Sequence, residues 1–187
     1  MPLLLNNMMF KVLVQAGDLK PFLSGGATNI NPDDSLGGVV SAYDIIPDGV
    51  MHNLFDAIPS ADLSGGNTDY RCYYLKNTSP TETWVGGEVY IEDITPSADT
   101  QIDIGLDPAG VGDGVATGVA TTIANDEAVP AAVVFTHTVG APGLSIGDLD
   151  AGEVQAIWIR RVVTDPGGGA TAAPDDRATL RHTGSDY

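Results

Sequence analysis

The chain has 187 residues, 43% of them hydrophobic, which is enough for one substantial core. It carries 25 acidic and 8 basic residues, and the resulting net charge of −17 excludes strong attraction to nucleic acid or to an anionic membrane surface. The single cysteine, Cys72, excludes an intramolecular disulfide, and no apolar run reaches the ~18 residues that a membrane-spanning helix needs. We therefore expect a chain that folds in a reducing cytoplasm, with no nucleic-acid or membrane partner.

The amino-terminal segment differs in composition from the rest of the chain. MPLLLNNMMFKVLV is apolar without amphipathic order, and LSGGATNINPDDSLGG follows as a turn-rich connector. No basic residue precedes the apolar run and two asparagines interrupt it, which argues against a secretory signal. We expect residues 1–35 to form an extended N-terminal arm and its connector. Because an apolar segment is unfavourable in water, the arm should either join the core or dock on a partner, and docking is the favoured alternative. The candidate docking residues are Leu3, Leu4, Leu5, Met8, Met9, Phe10, Val12 and Leu13.

From residue 36 to residue 187, short β-branched runs separated by glycine and proline predict an all-β domain. Alternation is clearest in QIDIGL, where Ile102, Ile104 and Leu106 share one face and predict a half-buried strand. The expected strands span residues 38–45, 70–77, 88–94, 101–106, 116–123, 131–137, 153–164 and 178–183. Strands at this spacing predict an antiparallel β-sandwich of the jelly-roll or immunoglobulin-like type, with the arm extending from it.

Two regions of this domain carry further expectations. The stretch YRCYYLKNTSPTETWVGGEVYIEDI, residues 70–94, concentrates aromatic side chains, which we interpret as sheet core rather than as a stacking platform for a ligand. Residues 153–164 are apolar on both faces and predict a central strand, covered by the second sheet and by either the arm or a neighbouring subunit. Arg160 and Arg161 on this strand are expected to form exposed ion pairs with carboxylates.

The motifs that suggest catalysis are weak. GLSIG at residues 143–147 matches the G-x-S-x-G pattern of serine hydrolases, which requires a sharp strand-to-helix turn. Turn-forming residues follow instead of a helix, so we interpret this motif as a turn and Ser145 as an ordinary serine. We expect no enzymatic activity.

Metal-binding patterns are equally weak. Asp107 and Asp113, in DPAGVGDG, lack the alternating oxygen ligands and terminal acid of a calcium loop. The three histidines, His52, His137 and His182, share no metal-ligand spacing. We therefore predict no metal site and no cofactor.

Three phrases carry a resemblance to a known group of proteins. These are LSGGATNINPDDSLGG, then NLFDAIPSADLSGGNTDYRCYYLKNTSPTETWVGGEVYIEDITPSADTQIDIGL, then GDLDAGEVQAIWIRR. Together, over residues 23–161, they resemble small virion structural proteins of tailed bacteriophages. The resemblance implies a β-sandwich exposed on a virion that assembles in the host cytoplasm. The opening MPLLLNNMMFKVLV departs from these phrases, so the resemblance does not extend to the docking role of the arm.

A net charge of −17 suits the outside of a DNA-filled shell better than its inside. The favoured function is therefore that of a capsid decoration or cement protein that stabilises the head, with the major capsid protein or other virion proteins as partners. A homo-oligomer is expected on such a lattice, a trimer at three-fold positions being one form. Two alternatives are a tail, baseplate or fibre component, and a host-surface or carbohydrate-binding module that uses Trp84, Tyr73 or Tyr90.

Overall fold

The computed structural model describes residues 9–14, 18–26, 31–47, 52–58, 65–94, 99–164 and 177–186. The strands of the described ranges form two stacked sheets, which confirms the predicted β-sandwich. The strands are β1 (Met9–Val14), β2 (Leu19–Ser24), β3 (Val40–Ile45), β4 (Asn67–Asn77), β5 (Trp84–Ile94), β6 (Thr100–Leu106), β7 (Leu144–Leu149), β8 (Val154–Val163) and β9 (Arg177–Asp186). A short 3-10 helix, Pro32–Asp34, follows Asn31, whose side chain caps it.

One sheet has five strands in the order β3-β2-β4-β8-β6, and the other has four in the order β1-β9-β5-β7. Every pair is antiparallel, as predicted, except β1 with β9, which is parallel. Since β1 and β9 lie at opposite ends of the chain, no hairpin constrains their direction. Two strands fall inside the segment expected to be an arm: β1 is hydrogen-bonded at the edge of the four-stranded sheet, and β2 lies within the five-stranded sheet.

The core between the sheets is built from the inward faces of alternating strands. The fully buried side chains there include Tyr73, Leu75, Trp84, Val89, Ile91, Ile104, Ile157, Ile159 and Leu180. The aromatic stretch is therefore core, as predicted from its composition. Trp84 and Tyr73, with exposed fractions of 1% and 0%, have no face free to stack on a sugar, so neither can serve the alternative of a carbohydrate-binding module.

A second apolar layer covers the outer face of the five-stranded sheet. It is formed by residues 107–143, the connection between β6 and β7, which we call the cover. Ala120 and Ile123 of the cover pack with Cys72, Tyr74 and Trp158 of the sheet. Both faces of β8 are thus buried, as predicted, but the covering element is the chain's own connection rather than an arm or a neighbouring subunit.

The cover also changes the environment of β6. Ile102 and Ile104 face the interior as expected, yet Asp103 on the opposite face is only 1% exposed. A side chain at Gly105 would place its Cβ 2.6 Å from Val133 Cγ1 of the cover, closer than atoms approach. The predicted half-buried strand is therefore buried on both faces, because alternation reports side-chain polarity and not what lies above the sheet.

Three sequence-based assignments are corrected by the cover and by β7. Residues 116–123 and 131–137 are not strands but parts of the cover, touching the sheet through single bridges at Ala120 and Thr136. Their apolar side chains serve as anchors on the sheet face, and β-branched residues suit such a surface without ladder pairing. GLSIG is not a turn: it runs into β7, where Gly147 takes a positive φ of 85° at an irregularity of the pairing with β5.

Candidate functional site

Asp107 is a structural carboxylate that fastens the cover to the sheet. It is 2% exposed, and its Oδ2 accepts hydrogen bonds from Trp158 Nε1 at 2.8 Å and from the backbone N–H of Thr121 at 3.1 Å. Its Oδ1 accepts from the N–H of Ala109 at 2.9 Å. With both oxygens engaged, Asp107 joins the start of the cover, its middle and the central strand β8.

Asp113 organises a turn within the cover. Its Oδ1 accepts from the N–H groups of Val115, Ala116 and Thr117 at 2.9, 2.7 and 2.9 Å. These hydrogen bonds lower the pKa of Asp113 to about 2. Within the described residues, no three histidine, cysteine or acidic side chains are grouped so that they could hold a metal ion.

His182 and His137 each contact a residue of a neighbouring strand. His182, on β9, is fully buried, and its Nε2 lies 2.8 Å from the hydroxyl of Tyr73 on β4, so the pair links the two sheets through the core. Burial raises the pKa of Tyr73 well above its ordinary value, which keeps the phenol protonated. His137 lies in the cover, with Nδ1 2.7 Å from the carbonyl oxygen of Ile102. The third histidine, His52, begins the segment 52–58 in a left-handed backbone conformation with φ of 58°.

His137 also lines a surface groove of about 440 Å³ with Glu92, Asp93 and Thr100. The nearest carboxylate to its Nδ1 is that of Asp103, at 3.5 Å. That carboxylate is already engaged by Arg160 and Gln101. The contacts of His137 therefore hold the cover against β6.

The hydrolase-like motif does not form the geometry that a serine nucleophile needs. Ser145 is exposed on β7 and pairs with Glu88 of β5. A nucleophile elbow places its serine on a turn from strand to helix, whereas this serine lies within a strand of an antiparallel pair.

Arg160 and Arg161 are paired with carboxylates, as predicted, but their pairs are more buried than expected. Arg161 donates from Nε to Asp69 Oδ2 at 2.9 Å, and the two side chains are 4% and 5% exposed. Arg160 donates from Nε and Nη2 to Asp103 Oδ2, at 2.9 and 2.7 Å, and Asp103 is 1% exposed as a side chain. Residues far away in the chain bury these pairs, which strand polarity alone does not reveal.

Arg71 and Arg161 together anchor the segment 52–58 at one end of the sandwich. Their guanidinium groups lie 5.5 and 4.8 Å from the ring centroid of Phe55, which is fully buried. Arg71 also forms an ion pair with Asp126 of the cover at 3.2 Å. The positive charge at this end is thus used inside the fold.

Positive charge remains available at one place on the five-stranded sheet. Lys20 on β2 lies directly opposite Lys76 on β4 in the strand register, on the outer face beyond the cover. Lys20 is exposed, and Lys76 Nζ lies 5.5 Å from the ring centroid of Phe22. Neither lysine forms an ion pair in the described part of the chain, in contrast to Arg71, Arg160, Arg161 and Arg181.

Exposed apolar side chains lie on β3, the edge strand that pairs with β2. Tyr43 is 81% exposed, more than any other large hydrophobic side chain among the described residues, and Ile45 is 41% exposed. Ile45 pairs with Phe22, next to Lys20 along β2. We call Lys20, Lys76, Ile45 and Tyr43 the lysine–tyrosine patch.

Tyr43 lies in a bulge of β3. Phe22 pairs with Ile45 and Ser24 with Val40, so residues 41–44 of β3 lie opposite a single residue of β2. The Ser41 hydroxyl accepts from the Asp44 N–H at 3.1 Å and donates to Asp44 Oδ2 at 2.9 Å, which holds the bulge in shape. Bulges on edge strands commonly redirect a side chain and block further strand pairing.

The residues expected to dock on a partner are only partly described. Met9, Phe10, Val12 and Leu13 lie in β1, paired with β9, whereas Leu3, Leu4, Leu5 and Met8 lie outside the described residues. None of them belongs to the lysine–tyrosine patch. Sequence reasoning missed this patch because its members come from three strands, and only the register places them together.

No protein-family model matches the chain, and no curated protein compared with it is similar in sequence. In the part of the chain that the structure describes, no helix combines the length and the apolar composition needed to cross a membrane.

Proposed function

We propose that this chain is a non-enzymatic structural protein of a phage virion, and that it acts as a decoration or cement protein on the outer surface of the capsid. The observation that carries the proposal is the lysine–tyrosine patch, which combines an exposed tyrosine on the edge strand β3 with two lysines on β2 and β4 that form no ion pair among the described residues. Exposed tyrosines are enriched in protein-docking surfaces, and lysines beside such a surface contribute through charge complementarity with the partner. The location on a virion is proposed from the resemblance to virion structural proteins of tailed bacteriophages.

The polar groups that sequence analysis considered for chemistry support the same proposal. Asp107 and Asp113 bind backbone and side-chain donors of their own fold, and His182 binds Tyr73 in the core. Such contacts stabilise a rigid module, and a rigid module loses little conformational entropy when it binds a surface. A cement protein acts through contacts of this kind, repeated over many copies.

The number of copies in purified particles tests the proposal. Quantitative mass spectrometry of virions should find the chain in hundreds of copies, in proportion to the major capsid protein. A dozen copies or fewer would instead indicate a tail, baseplate or fibre component, and absence from purified virions would refute a structural role. Particles made without the gene should retain tails and release their DNA at a lower temperature than complete particles.

A further inference from the structure

We infer that the lysine–tyrosine patch binds an acidic segment of a partner protein in which carboxylates flank an apolar side chain. The inference rests on the proposed function for its biological setting, but the chemistry of the patch is tested separately. It goes beyond the arm-docking prediction, since the patch lies on the sheet and contains no residue of the first fifteen.

The lysines set the charge of the partner. Residues directly opposite on neighbouring antiparallel strands have Cβ atoms about 4.5–5.5 Å apart, and like charges in that position destabilise the pair. Lys20 and Lys76 hold this position without a carboxylate within ion-pair distance in the described part of the structure. The chain has 25 acidic residues, and four of its arginines form ion pairs with acidic side chains. The two lysines, in contrast, lie side by side without such a pair among the described residues. A carboxylate from outside would remove the repulsion and bind both ammonium groups.

The apolar side chains set the second requirement. Ile45 pairs with Phe22, and Lys76 lies over the ring of Phe22. Tyr43 is exposed and lies in the bulge, two residues before Ile45. A large side chain held by a rigid backbone loses little entropy on binding and buries much apolar area. The partner segment should therefore carry an apolar residue between its carboxylates, so that the apolar residue packs on Ile45 and Tyr43.

Charge also decides between classes of partner. A nucleic acid presents negative charge along its whole length and would be repelled by a surface of net charge −17. A second copy of this chain brings the same net charge. A protein with local carboxylates on an otherwise neutral or basic surface avoids this repulsion, because its negative charge is confined to the segment that meets the lysines.

A peptide probe tests the chemistry of the patch directly. We expect the blocked pentapeptide Glu-Leu-Glu-Leu-Glu to shift the amide resonances of residues 20, 45 and 76 in an NMR titration of the full chain. The Lys-Leu-Lys-Leu-Lys peptide should leave them unchanged, and Lys20→Glu should weaken the acidic peptide at least tenfold. Shifts elsewhere, equal shifts with both peptides, or no shift at millimolar peptide would overturn the inference.

Incorporation into particles tests whether the lysine–tyrosine patch is needed for attachment to the virion. Each variant is supplied to a phage that lacks the gene, and its copies per particle are counted. Lys20→Glu should reduce the copies per particle at least tenfold. Arg177→Glu makes the same charge change at an exposed site on the other sheet and should not reduce them. Lys20→Glu creates an opposite-charge pair with Lys76, so its melting temperature should equal or exceed that of the wild type, which separates lost docking from lost folding. If Lys20→Glu entered particles in the same number of copies as the unchanged chain, the inference would be refuted and the proposed function would stand. If the unchanged chain were absent from particles, the proposed function would be refuted, and the peptide titration would decide the inference.

Discussion

The attachment of the cover to the sheet should depend on Asp107. Asp107→Ala removes the acceptor of the indole N–H of Trp158, which is fully buried, and of the N–H of Thr121. Each buried donor left without a partner costs about 1–3 kcal/mol, so the free energy of unfolding should fall by about 2–5 kcal/mol. For a chain of this size that loss corresponds to a fall in melting temperature of roughly 4–20 °C.

Urea unfolding followed by tryptophan fluorescence measures this loss, since Trp158 lies under the cover and Trp84 lies between the sheets. Asp107→Asn keeps one carbonyl acceptor and should lose less than Asp107→Ala. Asp113→Ala, which removes an exposed carboxylate of the same cover, is the matched control and should lose less than either. Combining Asp107→Ala with Trp158→Phe should be less than additive, because one hydrogen bond is removed twice. A loss below about 1 kcal/mol for Asp107→Ala would show that apolar packing alone holds the cover, since one buried orphan donor already exceeds that.

Three further outcomes are expected. Arg161→Met should lower the free energy of unfolding by about 3–5 kcal/mol because Asp69 is left buried without its partner, and a paired Asp69→Leu change should recover part of this loss in the same urea assay. Tyr73→Phe should cost about 1–3 kcal/mol by leaving His182 Nε2 without the phenol, and a loss near zero in urea unfolding would mean that the hydroxyl is dispensable. Because the pKa of Asp113 falls from 3.8 to about 2 on folding, its stabilising contribution is present above pH 3.8 and is lost as the pH falls toward 2, so Asp113→Ala should flatten the stability profile over that interval.

The strands that sequence analysis located correctly are those whose environment is local. In β5, two apolar residues, Val89 and Ile91, alternate with polar ones and are buried. Glu88 and Glu92, on the other face, are half-buried and exposed. In β8, apolar residues on both faces predicted a central strand, which the structure confirms. Alternation with a period of two records which side chains avoid water, and that information is contained in a few consecutive residues.

The errors arise where burial depends on residues distant in the chain. Asp103 follows the polar phase of a strand and was expected to face water, yet the cover buries it with Arg160. Residues 116–123 show strand-like composition but lie on the sheet without pairing along it. GLSIG carries glycines that suggest a turn, whereas Ile146 is buried and holds the segment as an edge strand.

The lysine–tyrosine patch is the part of the candidate site that no local pattern predicted. Lys20 and Lys76 are separated along the chain, and each by itself is an ordinary surface lysine. Only the pairing of β2 with β4 sets them side by side, and only the pairing of β2 with β3 places Ile45 and the bulge with Tyr43 on the neighbouring edge strand.

Composition and alternation by themselves determined that this chain is an acidic, all-β sandwich with an aromatic core, because those properties are sums or short-range patterns. The tertiary structure alone decided that residues 107–143 form a third layer, since Asp107 and Trp158 meet across 51 positions of sequence. It likewise decided which charges are buried and which are left on the surface. Polarity states what each side chain prefers, whereas burial depends on which distant segment lies over it, and that is set by the packing of the whole chain.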